Sequence, residues 1–202
     1  MKKILLLAAL LVVCAAPRAL ALPVVGEAAP AFTATDADGK NISLADFKGK
    51  TVVLEWTSNE CPFVKKHYGA GNMQKLQKEA AAQDVIWLSV DSSAVGKPGY
   101  LDGAAAKNWL GSEGAAPAHF LIDASGDVGR LYGAKTTPHM FVIDKDGKLA
   151  YAGAIDSVAS ADPADIAKAD NYVTDALTAL AAGEQVKLAE TQSYGCGVKY
   201  GE

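Results

Sequence analysis

Cys61 is the residue whose surroundings in the sequence point most directly to chemistry. It follows the apolar, β-branched segment 51–56 and directly precedes Pro62, a residue favoured at the first position of a helix. The unpaired N–H groups and the positive end of the dipole at a helix start stabilise a thiolate, and Lys65 adds positive charge one turn further on. We therefore expect Cys61 to be a nucleophile with a lowered thiol pKa rather than an inert buried cysteine.

Cys196 is the second thiol to consider, and it stands between Gly195 and Gly197. Flexible backbone of this kind suits a thiol that moves to meet a partner. We hypothesise that Cys196 resolves the mixed disulfide or sulfenic acid formed at Cys61. A static disulfide that anchors the tail and two thiols that never pair both stay open as alternatives.

The elements that must position these thiols alternate between strand and helix patterns. Strand patterns cover residues 51–56, 84–90, 119–122, 140–143 and 148–152, with a tight hairpin turn at 144–147. Helical patterns cover 62–83, interrupted at Gly69 and Gly71 and restarting with Asn72 as cap, then 103–110, 127–132 and a long helix over 163–182. Residues 31–35 and 41–44 predict a small amino-terminal hairpin. The alternation predicts an α/β fold, a sheet flanked by helices.

The first 21 residues have the layout of a secretory signal peptide, with a basic start, an apolar run and a small-x-small pattern at residues 19–21. We expect this leader to be removed and the protein to be exported, to a periplasm or to the medium. Cys14 leaves with it, so that Cys61 and Cys196 remain. The predicted organisation is then one globular domain over residues 22–183, followed by a tail over 184–202 that carries Cys196.

Composition excludes several classes of partner. Half of the residues are apolar and 21% are charged, which excludes disorder. Loss of Lys2, Lys3 and Arg18 with the leader changes the formal charge from −4 to −7. An acidic domain without a basic run is a poor candidate for nucleic acid or for anionic membrane surfaces. We expect neither partner, and no membrane association after the leader is cleaved.

Three segments of the chain resemble the thioredoxin-like redoxins, the group that contains the alkyl-hydroperoxide-reductase/thiol-specific-antioxidant proteins and the exported thioredoxin-like reductases. They are residues 25–32, which read VGEAAPAF, Cys61-Pro62 after the strand that ends at Trp56, and residues 132–148, which read YGAKTTPHMFVIDKDGK. The resemblance covers residues 24–182 and implies a thioredoxin-like fold with a central mixed sheet, an amino-terminal hairpin and a carboxy-terminal tail. It also implies that Pro138 is a cis-proline facing Cys61, the nucleophile, and that Thr137 presents its backbone to bound peptide.

The chain departs from both subfamilies of this group. The reductases carry Cys-x-x-Cys, but the sequence here is Cys61-Pro-Phe-Val64, so the second thiol is missing. Peroxiredoxins carry Pro-x-x-x-Thr/Ser-x-x-Cys; Ser58 matches the hydroxyl, whereas Leu54 stands in place of the proline. Arg130 is the only arginine after the leader, and hence the sole candidate for the guanidinium that activates a peroxide.

The sequence therefore predicts an exported thiol oxidoreductase or antioxidant protein without a cofactor. Its chemistry is either thiol–disulfide exchange or peroxiredoxin-like peroxide reduction, on protein thiols and disulfides or a hydroperoxide, with an unidentified reductant. The alternative is a non-catalytic redoxin-fold module for binding or copper delivery, with Cys61, Cys196 and His139 as a soft metal site. Of the other histidines, we expect His67 at the surface or in packing, and His119 in a buried strand.

Overall fold

The computed structural model describes residues 22–202 and contains nine strands and five α-helices in that part of the chain. The predicted signal peptide, residues 1–21, lies outside the described residues. The strands are β1 (Thr33–Asp36), β2 (Asn41–Ser43), β3 (Val52–Trp56), β4 (Ile86–Asp91), β5 (His119–Ile122), β6 (Thr136–Thr137), β7 (His139–Ile143), β8 (Leu149–Gly153) and β9 (Cys196–Gly197). The helices are α1 (Pro62–Gly69), α2 (Asn72–Ala82), α3 (Gly103–Glu113), α4 (Asp127–Tyr132) and α5 (Tyr172–Ala181).

Seven strands form one mixed sheet in the order β2-β1-β5-β4-β3-β7-β8. β3, β4 and β5 run parallel to one another, whereas β7 pairs antiparallel with β3 and β8 antiparallel with β7. The amino-terminal hairpin β1–β2 extends the other edge through antiparallel pairing of β1 with β5. This is the α/β, thioredoxin-like arrangement that the sequence predicts, and the expectation is confirmed.

The strand period of two divides the sheet between two hydrophobic cores. On one face, Val53, Trp87 and Met140 pack against buried residues of α1, α2 and α5. On the other, Leu54, Trp56 and their neighbours pack against α4 and the amino-terminal segment. All five residues of β3 are buried, as is typical of a central strand covered on both faces.

Glu55 is the one charged side chain of β3, and it is buried within this core. Its carboxylate accepts hydrogen bonds from the Tyr68 hydroxyl at 2.9 Å, the Trp87 indole at 2.8 Å and the Ser89 hydroxyl at 2.8 Å. Burial raises the pKa of Glu55, and these donors act against that rise. The side chain thus ties β3 and β4 to Tyr68, near the end of α1.

The break inside the segment 62–83 falls where the sequence places it, but the predicted cap is wrong. Gly71, with φ +72°, occupies the N-cap position of α2, and Asn72 is already helical. The left-handed backbone at this point favours glycine. The Asn72 side-chain amide instead contacts His67 Nδ1 at 2.8 Å, which links the two helices.

The predicted long helix over residues 163–182 is also wrong. Residues Pro163–Lys168 form a 3-10 helix, the chain is extended at Ala169, and α5 begins only at Tyr172. The Asn171 side chain caps α5 by accepting from the Thr174 N–H at 2.9 Å. The helical spacing of apolar residues extends over the whole of 163–182, and for this reason the sequence predicted one helix. The chain instead leaves the helical conformation before Asn171, whose side chain caps the start of α5.

The tail, residues 184–202, pairs with two strands of the domain. Glu190 bridges Ala152 of β8, and β9 pairs antiparallel with β6 in a separate two-stranded sheet. Between residues 22 and 202, no helix is long and apolar enough to cross a membrane.

Candidate functional site

Cys61 lies where the chain leaves β3 and enters α1. It occupies the N-cap position, with φ −74° and ψ 122°, and Pro62 follows at the first helical position. The Lys65 N–H donates to the Cys61 carbonyl at 2.9 Å and closes the first turn. Pro62 is tolerated here because its missing N–H would have no partner within the helix. The thiol therefore stands at the positive end of α1, yet Cys61 is only 2% exposed.

Val64 takes the place that a second thiol has in Cys-x-x-Cys reductases. Its side chain is 1% exposed and belongs to the core cluster that also contains Cys61. The first turn of α1 thus offers one thiol and one apolar side chain. Any partner for Cys61 must come from elsewhere in the chain.

Thr137 and Pro138 form the wall opposite Cys61. The peptide bond between them is cis, as the family resemblance implies. The Cys61 thiol donates a hydrogen bond to the Thr137 carbonyl, with a sulfur-to-oxygen distance of 2.9 Å. Thr137 belongs to β6, and it is 3% exposed.

The tail brings Cys196 to this wall. In the β6–β9 pair, Cys196 stands opposite Thr137 and Gly197 opposite Thr136. The Val198 N–H donates to the Lys135 carbonyl at 3.1 Å, which continues the pairing. Cys61 and Cys196 line the same cleft, and both are free thiols.

Gly195 allows the tail to lie directly against the backbone of Thr137. Its φ is +129°, outside the range of ordinary L residues, and a Cβ at this position would collide with the Thr137 carbonyl oxygen. Only glycine fits between the tail and β6 at this point.

The two thiols differ in pKa. Burial by itself raises the pKa of Cys61, but the Cys196 thiol, the Thr137 side chain and the backbone N–H groups of Val64 and Cys196 offer hydrogen bonds that outweigh it, and the net pKa is lowered. Burial, together with the hydrogen bond and charge of Cys61, raises the pKa of Cys196 to about 11. Cys61 is therefore the thiol that ionises first, and Cys196 keeps its proton and serves as donor.

A small cleft of about 150 Å³ opens beside the two sulfurs. The Ser58 side chain lines it, and the Ser58 carbonyl accepts from the Cys61 N–H at 3.1 Å. Of the five residues that the sequence singles out, four line this cleft, namely Ser58, Cys61, Thr137 and Cys196. The fifth, Pro138, is joined to Thr137 through the cis bond.

Arg130 is not among the residues that line the cleft. Its guanidinium donates to the carbonyls of Ser125 and Gly201, at 2.7 and 2.6 Å, and stacks on the Tyr200 ring with 4.8 Å to the ring centre. The arginine therefore holds the end of the tail. It offers no cation to a peroxide at Cys61.

The histidines also lie away from the thiols. His139 Nδ1 accepts from the Lys135 N–H at 3.2 Å and its ring packs on Phe141, so it does not join the two cysteines in a metal site. His67 is fully buried and His119 pairs with Asp36 at 2.9 Å. Across residues 22–202, no three His, Cys, Asp or Glu side chains group closely enough to hold a metal ion.

Two tyrosines that sequence reasoning did not single out flank Cys196 and fix the tail. The Tyr194 hydroxyl donates to the Asp156 carboxylate on one side. The Tyr200 hydroxyl donates to the Ala134 carbonyl at 2.7 Å on the other. The sequence does show two tyrosines around the Gly-Cys-Gly triplet, which could have suggested that they hold the tail. Their hydrogen-bond partners could not have been identified, because Asp156 and Ala134 are remote in sequence.

Comparisons with known proteins identify the family of this chain. The family model described as Redoxin matches residues 24–173. The chain is 31% identical over 125 residues to the thiol-disulfide oxidoreductase ResA of Bacillus thuringiensis, covering 62% of this chain and 66% of that one. It is 31% identical over 134 residues to the chloroplastic peroxiredoxin Q of Triticum aestivum, covering 62% and 57%. The chain thus spans less than two thirds of the length of each of these two relatives.

The structure is similar along almost its whole described length to a solved one. The crystal structure of a hypothetical protein from Sinorhizobium meliloti superposes with a TM-score of 0.74 at 26% identity, covering 88% of this chain and 95% of the other.

Proposed function

This chain belongs to the Redoxin family, and we propose that it is a thiol–disulfide oxidoreductase in which Cys61 is the nucleophile and Cys196 the resolving thiol. The observation that carries the proposal is the pairing of Cys196 with Thr137, because it sets a protonated thiol beside a thiol of lowered pKa. Exchange needs this division of roles: one sulfur attacks as a thiolate, and the other stays in reserve until the mixed disulfide has formed.

The first step is attack of the Cys61 thiolate on one sulfur of a substrate disulfide. The substrate S–S bond breaks, its second sulfur leaves as a thiolate with the bonding electron pair, and Cys61 is left in a mixed disulfide. Cys196 then loses its proton to the departing thiolate or to water and attacks the Cys61 sulfur. The Cys61–Cys196 disulfide forms and the substrate sulfur that was bound to Cys61 leaves as a thiolate, so two electrons have passed to the substrate. An external dithiol must supply two electrons to restore both thiols.

Disulfide exchange is favoured over peroxide reduction by the surroundings of Cys61. Peroxide activation would need a guanidinium near the sulfur, and Arg130 is engaged with Ser125, Tyr200 and Gly201. Ser58 is the feature at the cleft that the peroxiredoxin pattern shares.

Thr137 and Pro138 are proposed to form the surface on which an extended segment pairs next to Cys61. In this structure the tail itself occupies that surface. A cleft of about 150 Å³ accommodates a small disulfide or thiol, and a polypeptide substrate must displace β9 to reach a sulfur that is 2% exposed.

Export is a further part of the proposal, supported by the signal-peptide layout of residues 1–21. The expected mature protein begins at Leu22 and works where disulfides persist. Intact mass measurement on protein recovered from outside the cytoplasm tests this: the mass of residues 22–202 supports it, and full-length protein contradicts it.

The proposed reaction is tested by mixing reduced protein with insulin, a protein disulfide, and counting the thiols released. Wild type is expected to reduce one disulfide per chain. The Cys61→Ser variant is expected to reduce none, and Cys196→Ser to stop as a mixed disulfide with insulin. A Cys196→Ser protein that turns over at the wild-type rate in the presence of dithiothreitol would exclude the resolving role.

A peroxide titration of the same reduced protein provides the second arm. The proposal expects sulfenic acid to form at Cys61 at about the rate of an ordinary thiol. A reaction many orders of magnitude faster, with no reduction of insulin, would make the protein a peroxidase instead.

A further inference from the structure

A buried ion pair lies beneath the tail, next to the helix that carries the nucleophile. Lys66 Nζ and Asp156 Oδ2 are 3.3 Å apart, and their side chains are 0% and 3% exposed. Lys66 also donates to the Val158 carbonyl at 3.2 Å, and Asp156 accepts from the Val158 N–H at 3.0 Å. Placing two charges in a protein interior costs free energy that their attraction often does not recover. The pair therefore calls for a role beyond packing.

Tyr194 connects this ion pair to the tail. Its hydroxyl donates to Asp156 Oδ1, the oxygen that does not face Lys66. Its ring meets Phe63 edge-on, with 5.8 Å between centres, and the Lys66 ammonium lies 5.8 Å from the ring centre. Burial and the negative charge of Asp156 keep the pKa of Tyr194 raised well above its usual range, so the phenol stays a donor at any ordinary pH.

The contact between Tyr194, Asp156 and Lys66 lies close to both cysteines. Tyr194 is two residues before Cys196, and two residues of chain span at most about 7 Å. Lys66 belongs to α1, the helix that begins at Cys61. We call Tyr194, Asp156 and Lys66 together the anchor. It connects the tail segment that carries Cys196 to α1, the helix that begins at Cys61.

We propose that Lys66 and Asp156 are positioning residues that act through the Tyr194 hydroxyl to hold Cys196 against Cys61. This inference rests on the proposed function, in which Cys196 resolves the mixed disulfide formed at Cys61. With the anchor intact, the tail stays within reach when a substrate occupies Cys61, and closure of the internal disulfide is fast. Without it, Cys196 leaves the site more often and closure slows.

The variant Tyr194→Phe tests the anchor, because it keeps the ring contacts and removes only the hydroxyl. Tyr132→Phe is the matched control: Tyr132 is also buried, but its hydroxyl donates to the Pro30 carbonyl at 2.7 Å, a partner outside the tail. Each protein is loaded with glutathione at Cys61, and closure to the Cys61–Cys196 disulfide is followed by acid quench and mass spectrometry. We expect closure about tenfold slower in Tyr194→Phe, since a hydrogen bond to a charged group is lost, and within twofold of wild type in Tyr132→Phe.

Amide hydrogen exchange in the reduced proteins separates this inference from the proposed function. The Val198 N–H is bonded to Lys135 only while the tail is docked. Its exchange should be about tenfold faster in Tyr194→Phe and unchanged in Tyr132→Phe. If wild type itself does not close a disulfide, the proposed function fails while this exchange still reports on the anchor. If the Val198 amide exchanges at the same rate in Tyr194→Phe and Tyr132→Phe, the proposal that Tyr194 anchors the tail is wrong, whatever the rates of disulfide closure.

A double variant tests the ion pair itself. Lys66→Met with Asp156→Asn removes both buried charges together and leaves an amide oxygen to accept from Tyr194. Neutral acceptors bind about half as strongly as charged ones, so Val198 exchange should speed up by about threefold, between wild type and Tyr194→Phe. A wild-type exchange rate would contradict the role given to the pair.

Discussion

Thr137 and Cys196 stand directly opposite one another in a two-stranded antiparallel sheet, and this pairing brings a thiol from the end of the chain to Cys61. The Thr137 carbonyl also accepts a hydrogen bond from the Cys61 thiol at 2.9 Å. One residue next to a cis-proline therefore contacts both cysteines of the proposed redox pair, the first through its sulfur and the second through its backbone. The second thiol that α1 lacks is supplied by a strand 135 positions further along the sequence, at 196 as against 61.

The two thiols should titrate far apart. The pKa of Cys61 is expected below the usual thiol value of about 8.5, and that of Cys196 at about 11. Alkylation by iodoacetamide as a function of pH, resolved by peptide mass, measures both. In Cys196→Ala the hydrogen bond from the Cys196 thiol is lost, so the midpoint for Cys61 should move upward. A wild-type midpoint for Cys61 at or above 8.5 would contradict this account of the site.

Gly195→Val should undock the tail. A side chain at this position meets the Thr137 carbonyl, and the φ of +129° is unfavourable for a β-branched residue. We expect Cys61, now 2% exposed, to be alkylated at least tenfold faster in the reduced variant.

Gly201→Ala is the control for this change within the same tail. Its φ is not positive and a Cβ there lies at an ordinary 3.4 Å from the Ala94 side chain. Its alkylation rate should match wild type. Equal rates in Gly195→Val and Gly201→Ala would show that the close approach to Thr137 does not hold the tail in place.

Arg130→Ala separates a tail anchor from a peroxide-activating residue. The change removes the hydrogen bond to the Gly201 carbonyl and the stacking on Tyr200, so the tail end should loosen and Val198 amide exchange should rise several-fold. The rate of Cys61 with hydrogen peroxide should stay within about twofold of wild type. A hundredfold loss of that rate would assign the guanidinium to peroxide chemistry, because a single hydrogen-bond donor aimed at a developing negative charge contributes about a hundredfold or more.

His139 should make stability depend on pH in the acid range. Burial and the nearby charge of Lys135 lower its pKa to about 4, against about 6.5 when unfolded. The folded state thus binds fewer protons than the unfolded state between these values. Stability from this group is present above pH 6.5 and is lost as the pH falls toward 4.

The variant His139→Asn, which keeps an acceptor for the Lys135 N–H, tests that dependence. The drop in unfolding free energy between pH 7 and pH 4.5, measured by urea titration, should be about 2 kcal/mol smaller than in wild type. An identical drop in both proteins would mean that His139 takes up its proton in the folded state too.

The order of elements was predictable because each has a strong local period. β5 and α4 have the predicted bounds, and β3, β4, β7 and β8 begin or end within two residues of them. The cap of α2 at Gly71 and the late start of α5 at Tyr172 were harder to place. Both depend on cap geometry, which the apolar period does not report.

The individual site residues were visible in the sequence, but the way they meet was not. A cysteine before Pro62 and a proline before a strand are local signals. The contact of Cys196 with Thr137 is a pairing between segments 59 residues apart, and it depends on Gly195 and on the partners of Tyr194 and Tyr200. Asp156, Lys66 and Ala134 supply those partners through tertiary packing, which no pattern in one sequence specifies.

The most direct test of the central claim is a disulfide map after a single turnover. Fully reduced protein is given one equivalent of a small disulfide such as oxidised glutathione, quenched in acid, digested and examined by mass spectrometry. The account predicts that Cys61 and Cys196 of the same chain are joined and that two equivalents of glutathione thiol are released. Recovery of Cys61 as a stable mixed disulfide with glutathione, with Cys196 still a free thiol, would contradict it.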